Sequence, residues 1–422
     1  MAGTIGEKIM AKYAGRPVRA GEYITASPDY VLFCEMQWHH SIERAVNEVG
    51  LSRVWDPDRV VIIPDHRIPA NIPFMADVLT SLRSFAEQHR IRHFYDAGRG
   101  GIRNQVFLDE GFAWPGSLVL SDEPNISASF GMVGCLGFGE SVKIVEVLAL
   151  GETWFHVPET MRIDLSGRLP AGVTTRDVSL FLSGRLGQHA AEDMLIEFHG
   201  EALATMNLDE RNTLCQQPTL TLGAYSSLMV PDELTLGFLK ERARSDFSVV
   251  APDADAAYAA THAFDISSLP PYVSAPPESS TAVPVTELAG LRIDQAYIGS
   301  CSSARLNDLR MAARILSGKH VHQGTRMVAV PISQRVFLDA MNEGVIQTLV
   351  AAGVQVGAPS CGACPGGHAG VLGTGEVCIT TTSHNYPGRM GSDKASIYLA
   401  SPATVAASAI EGRIADPRKY LS

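Results

Sequence analysis

DQAYIGSCSSARLNDLRMAARILSG, residues 294–318, decides the architecture of this chain. The short apolar run through Tyr297 and Ile298 ends at Gly299 and reads as a buried strand. A small polar loop containing Cys301 follows, and then apolar residues return at helical spacing from Leu306 to Leu316. Strand, loop and helix in that order form half of a parallel α/β unit.

Working outward, the alternation repeats. Downstream, residues 326–333 read as strand, 336–353 as helix, 357–367 as a Gly/Pro loop and 375–385 as strand running into a polar end. Upstream, RVVIIPDH (59–66) is a β-branched run that leaves Asp65 and His66 at a strand's C-terminal end, and a helical pattern follows over 76–91. GSLVLSDEP (116–124) is another strand and turn, and 160–187 gives strand, turn, and a helix capped by Thr174 or Thr175. Residues 250–288 change character to Ala, Pro and Ser, which predicts a linker across the surface with some extended order around FDISSLPPYV (264–273). The expected organisation is two intertwined α/β domains over 1–288 with a boundary near 195, the linker over about 250–288, and a C-terminal α/β domain over 289–422.

A chain of 422 residues exceeds one core and predicts two or three domains. A net charge of −11 argues against a nucleic-acid partner, which selects a basic surface. No run of 18 apolar residues is present, so no transmembrane helix is expected. The N-terminal stretch is amphipathic without the apolar centre of a secretory signal, which makes the cytoplasm the expected location. Seven cysteines, odd and sparse, form a poor disulfide framework and suit a reducing compartment.

Their clustering is more informative. Cys361 and Cys364 form a CxxC in PSCGACPGG (359–367), where a tight turn can point both sulfurs the same way. Cys301 lies in a separate strand-end loop, and strand-end loops of one α/β domain meet on one edge. Three thiolates without a fourth suit an iron–sulfur cluster with one open iron, a Lewis acid able to hold a hydroxyl or carboxylate. The same spacing fits a redox dithiol or a zinc half-site, and all three readings stand on spacing alone. Cys34, Cys135, Cys215 and Cys378 read as small buried residues.

The loops lie in segments that resemble the aconitase and 3-isopropylmalate dehydratase (or homoaconitase) large-subunit family, the short archaeal type above all. The similarity runs through WDPDRVVIIPDH (55–66), ETWFHVPETMRIDLSGRLPAGVTTRDV (152–178), TLC (213–215) with VPDE (230–233), IGSCSSARLNDLRMAARIL (298–316), CGACPGGHAGVL (361–372) and the C-terminal stretch 388–421. It covers nearly the whole chain. The resemblance implies three α/β/α domains around a [4Fe–4S] cluster held by Cys301, Cys361 and Cys364. It implies reversible dehydration of a small hydroxy-carboxylic acid, with Asp65 and His66 as an acid pair and Arg389 on a substrate carboxylate. The swivelling domain that carries the family's base is absent here, which implies a separate small subunit.

Departures from the pattern gather at the substrate pocket. Asn104, in GIRNQV, stands where a catalytic histidine is expected, and LSDEPNISAS (120–129) lacks the histidine of the family's DSHT. TLCQQPTLTLGA (213–224) lacks an acid, Ser303 replaces an asparagine, and His384 replaces the first arginine of SNRNFxGR. Asn104, His384 and Arg305 are therefore expected to bind an altered substrate, with Arg103, Asp122 and Glu123 as new candidates. The reading is the large subunit of an iron–sulfur hydro-lyase with a changed pocket. The alternatives are a non-catalytic or regulatory cluster-binding homologue, or a mononuclear metal site.

Overall fold

A computed structural model describes residues 3–421. Three parallel or mostly parallel sheets organise it. The first has five parallel strands in the order His93–Phe94, Val60–Ile62, Tyr30–Phe33, Leu118–Ser121, Leu136–Gly139. Val31 to Phe33, Val60 to Ile62 and Leu118 to Leu120 are wholly buried. These short unbroken apolar runs are what a strand covered on both faces requires.

The second sheet has four parallel strands, ordered Ser226–Met229, Leu195–His199, Thr160–Ser166, Ala260–Asp265. The third has seven, ordered Ala282–Pro284, Tyr272–Ser274, Ser396–Ala400, Val377–Thr380, Gln295–Ile298, Arg326–Ala329, Gln355–Val356. Its two outermost strands at the first end pair antiparallel, and the rest are parallel. The expected helix after the Cys301 loop is Leu306–Leu316, which buries Leu309, Ala312, Ile315 and Leu316 on one face. Helix Pro402–Glu411 packs beside it, started by Ser401, whose hydroxyl accepts the Thr404 N–H.

The stretch 250–288 carries three short strands. Residues Ala260–Asp265 alternate between half-buried and exposed and extend the second sheet along Thr160–Ser166. Tyr272–Ser274 and Ala282–Pro284 then cross to the C-terminal sheet. Pro284 is tolerated because it lies on an edge strand, where a missing N–H costs no interior ladder bond. Strands from Tyr30–Phe33 to Leu136–Gly139 make up the five-stranded sheet, and those from Thr160–Ser166 onward belong to the other two.

The C-terminal strand ends of the first and third sheets face one space. Loops after Tyr30–Phe33, Val60–Ile62 and Leu118–Ser121 carry Glu35, Asp65 and Glu123; those after Gln295–Ile298, Gln355–Val356 and Val377–Thr380 carry Cys301, Cys361 and Ser383. Open α/β sheets present their binding crevices at such ends. No helix among the described residues is long and apolar enough to cross a membrane.

Candidate active site

One cavity of about 320 Å³ is lined by Cys301, Cys361 and Cys364 together with Asp65, His66, Arg103, Glu123, Asn125, Thr219, Ser383, His384 and Arg389. The cysteine loops are tightly built. Ser300 and Ala304, flanking Cys301, both adopt left-handed backbone (φ 76° and 60°), a conformation costly for non-glycine residues and typical of functional loops. At Gly362 the φ is +54°, and a side chain there would collide with Tyr297, whose hydroxyl donates to the Cys361 carbonyl at 2.9 Å.

The thiols sit among donors. Arg389 Nη2 donates to Cys364 Sγ at 3.3 Å, Asn125 Nδ2 donates to Cys301 Sγ at 3.5 Å, and Ser383 Oγ lies 3.3 Å from the same sulfur. Burial pushes the Cys301 and Cys361 thiols up, so both favour the protonated form until a cation joins them. Hydrogen bonds to ligand sulfurs are what an iron–sulfur cluster needs from its surroundings. Three converging thiols ringed by donors thus fit a cluster. The remaining cysteines, Cys34, Cys135, Cys215 and Cys378, are buried and do not line the cavity.

Beside the thiols lies an ionic network. His66 Nδ1 donates to Asp65 Oδ1 at 2.8 Å, and Arg103 Nη1 donates to both Asp65 oxygens at 2.7 Å. The same guanidinium donates through Nε to Asp122 Oδ1 at 3.0 Å and is ion-paired through Nη2 with Glu123 Oε2 at 2.8 Å. His66 Nε2 faces Glu123 Oε1 across 4.0 Å. Burial opposes the imidazolium, but Asp65, then Glu35 and Glu123, outweigh it and raise His66 to about 9. Burial likewise opposes the Asp65 carboxylate, yet Arg103 and His66 hold it down at about 2. At neutral pH His66 therefore carries a proton it can give up in the cavity.

Glu35 holds this loop in place and was not legible in the sequence as a site residue. Its buried carboxylate accepts the backbone N–H groups of Asp65 (3.0 Å), His66 (2.9 Å) and Arg67 (2.7 Å). Cys34 Sγ lies 3.6 Å from His66 Nδ1, and ligand atoms of Cys34, Glu35, Asp65 and His66 all fall within 4.8 Å of one another. Glu35 is already committed to amides and Asp65 to Arg103, so this group forms a hydrogen-bonded buttress behind His66.

The structure brings Asp65, His66, Cys301, Cys361, Cys364, His384 and Arg389 to one cavity, together with Arg103 and Glu123. Burial holds His384 down at about 4, so it is neutral there. Asn104 and Arg305, expected to meet substrate, are fully buried and do not line the cavity. Asn104 Nδ2 donates to the Cys301 carbonyl at 3.1 Å, and Arg305 Nη2 donates to the same oxygen at 3.0 Å while Nη1 reaches Thr213. Both brace the Cys301 loop from behind. Asn104→Ala should therefore cost about 1–3 kcal/mol of stability in denaturant unfolding, since it strips a buried carbonyl of one donor. Ligand affinity should change little; a selective affinity loss at full stability would return Asn104 to the pocket.

Comparison with known proteins agrees with this geometry. The Aconitase family (aconitate hydratase) matches residues 8–290 and 284–412. The chain is 40% identical over 422 residues to 3-isopropylmalate dehydratase large subunit 1 of Methanopyrus kandleri, covering all of both sequences. It is 38% identical over 419 residues to a probable 3-isopropylmalate dehydratase large subunit of Methanothermobacter thermautotrophicus, covering 99% of each. Thermococcus kodakaraensis aconitase X in its holo-form shares the fold with a TM-score of 0.51 at 14% identity, over 90% of this chain and 89% of that one. The chain belongs to the aconitase family. As such it is an enzyme of the aconitase-type hydro-lyases, and it matches large subunits end to end.

Proposed function

We propose that this chain is the large subunit of an iron–sulfur dehydratase that removes water from, or isomerises, a small hydroxy-carboxylic acid. The observation that carries the reading is the convergence of Cys301, Cys361 and Cys364 on one cavity with the Asp65–His66 pair. The three cysteines would hold a [4Fe–4S] cluster, whose open iron supplies Lewis acidity toward a hydroxyl and its neighbouring carboxylate.

The chain's own groups divide the remaining work. Asp65 fixes the His66 ring through Nδ1, which leaves Nε2 to hand a proton to a departing hydroxyl. Arg389, which has no carboxylate within salt-bridge distance among the described residues, takes a substrate carboxylate beside Cys364. Arg103 keeps Asp65 ionised, so that His66 retains its orientation and its proton. A separate small subunit completes the site with the base, and a reducing cytoplasm suits the free thiols.

Anaerobic purification followed by iron and sulfide analysis tests the cluster. Full-length protein should contain both elements and show visible thiolate-to-iron absorbance, and Cys361→Ser should lose most of each. Protein without iron or sulfide after reconstitution would sink the reading. Iron without sulfide would point to a mononuclear metal instead.

A further inference from the structure

Two loops that lie far apart in sequence, 65–71 and 361–368, run side by side along the cavity. The Cys361 N–H donates to the Asp65 carbonyl at 2.7 Å, His368 Nε2 lies 3.2 Å from the Pro69 carbonyl, and Asn71 Nδ2 donates to the Gly367 carbonyl. These contacts seat the Cys361–Cys364 loop without setting a cation against its sulfurs. One cation close to the cysteines lies outside the cavity: Arg176, which is buried and does not line it.

Arg176 is the second residue of helix Thr175–Leu186, which Thr174 caps. Its Nη2 donates to the Thr382 carbonyl at 2.6 Å. The next residue, Ser383, holds its Oγ 3.3 Å from Cys301 Sγ and 2.8 Å from Ser302 Oγ, so guanidinium and thiol meet adjacent residues of one strand end. Arg176, Ser302 and Ser303 also line one small pocket of about 70 Å³. The partners of Arg176 are neutral. Its Nη1 donates to Gln217 Oε1, its buried Nε has no partner, and no carboxylate lies within salt-bridge distance among the described residues. The adjacent Asp177 is spent on the Thr174 and Tyr272 N–H groups. A cation in the first turn also adds to the positive end of the helix dipole instead of offsetting it. Buried charges are ordinarily paired, so this one calls for an anion that the side chains in contact with it do not supply. Burial holds Arg176 down at about 10, opposed first by Cys301 and then by Asp177 and Cys364, and it stays charged at neutral pH. Burial lowers Arg305 too, but there Asp308 and Asp209 lead the opposing charges.

We infer that Arg176 is the buried counter-cation of the cluster held at Cys301, Cys361 and Cys364, a positioning residue that sets the charge of the site from outside the cavity. This rests on the cluster reading under the proposed function. A cluster on three thiolates is a net anion, each added electron makes it more so, and the charge around it governs its reduction potential. Arg176 makes no hydrogen bond to a sulfur among the described residues and acts through its charge. Arg389, by contrast, donates to Cys364 Sγ from inside the cavity, where substrate enters.

Mediated redox titration of the anaerobically reconstituted full-length chain, read by electron paramagnetic resonance of the reduced cluster, tests the assignment without substrate. Arg176→Gln should make one-electron reduction less favourable by about tenfold or more, a fall of about 59 mV in midpoint potential. Arg176→Lys keeps the charge and should stay near the wild-type value. Asn104→Ala removes a neutral brace from the Cys301 carbonyl and should leave the potential where it is. An unshifted potential in cluster-loaded Arg176→Gln overturns the inference. So does an equal shift in Arg176→Lys, which would assign the effect to hydrogen bonds, or in Asn104→Ala, which would assign it to loosening of the loop. If Arg176→Gln takes up no cluster, Arg176→Lys decides: restored iron and sulfide support the inference, and failure to restore them overturns it. Wild-type protein without iron and sulfide would remove the cluster reading and this inference together, whereas a loaded wild type with unshifted variants removes this inference alone.

Discussion

Replacing His66 by alanine is expected to lower kcat by about 10²–10⁴-fold, the usual worth of a positioned acid or base. KM should move little, because the carboxylate contact assigned to Arg389 is untouched. The pH dependence has a defined sign. His66 is raised to about 9, so its proton is present at neutral pH and is lost as pH rises through about 9; activity that requires the acid should fall on that limb. The same group stabilises the fold in the same direction. That contribution is complete below its unfolded value of about 6.5 and disappears as pH climbs through about 9. Asp65→Asn should shift the falling limb of the rate profile to lower pH. A profile identical in wild type and Asp65→Asn would show that His66 is not the acid.

Arg103→Ala is expected to destabilise the chain by about 3–5 kcal/mol, measured by denaturant unfolding, because it leaves buried carboxylates uncompensated. Asp65 and Asp122 are both wholly buried at the side chain and share this one guanidinium with the partly exposed Glu123. Arg103→Ala combined with Asp122→Asn should recover part of the loss, since one of the stranded charges is then gone. A loss below about 1 kcal/mol in the single variant would mean that the carboxylates are neutralised some other way. The cost should also grow with pH through the carboxylate range, as more of the stranded acids ionise.

Strand-end positions were readable from the sequence because the signal is local. RVVIIPDH announces its own end, and so does AYIGSC, which is why Asp65, His66 and Cys301 were found and lie on one cavity. Glu35 was invisible for the opposite reason: its meaning comes from strand order, which sets Tyr30–Phe33 beside Val60–Ile62 and brings its carboxylate to amides some thirty residues later. Asn104, on the helix Arg103–Asp109, and Arg305 both turn to the Cys301 carbonyl, because composition does not tell which face of an element a side chain takes. Only the end of the strand Ala260–Asp265 falls in the extended order expected over 264–273, because neighbouring alanines, prolines and serines mask its six-residue alternation. Asp122 and Glu123 were recognisable as acids, but their shared counter-ion required the neighbouring strand ends in three dimensions.

The paired loops at Asp65–Asn71 and Cys361–His368 have a thermodynamic consequence. They belong to different sheets and lie almost three hundred residues apart, yet together they form one wall of the cavity. Anything bound there is gripped by both halves of the molecule, so its binding free energy is shared with their association. Occupancy of the cavity and cohesion of the two halves are thus linked functions: a ligand that saturates the site should raise the melting temperature of the whole chain, and its removal should loosen the seam first.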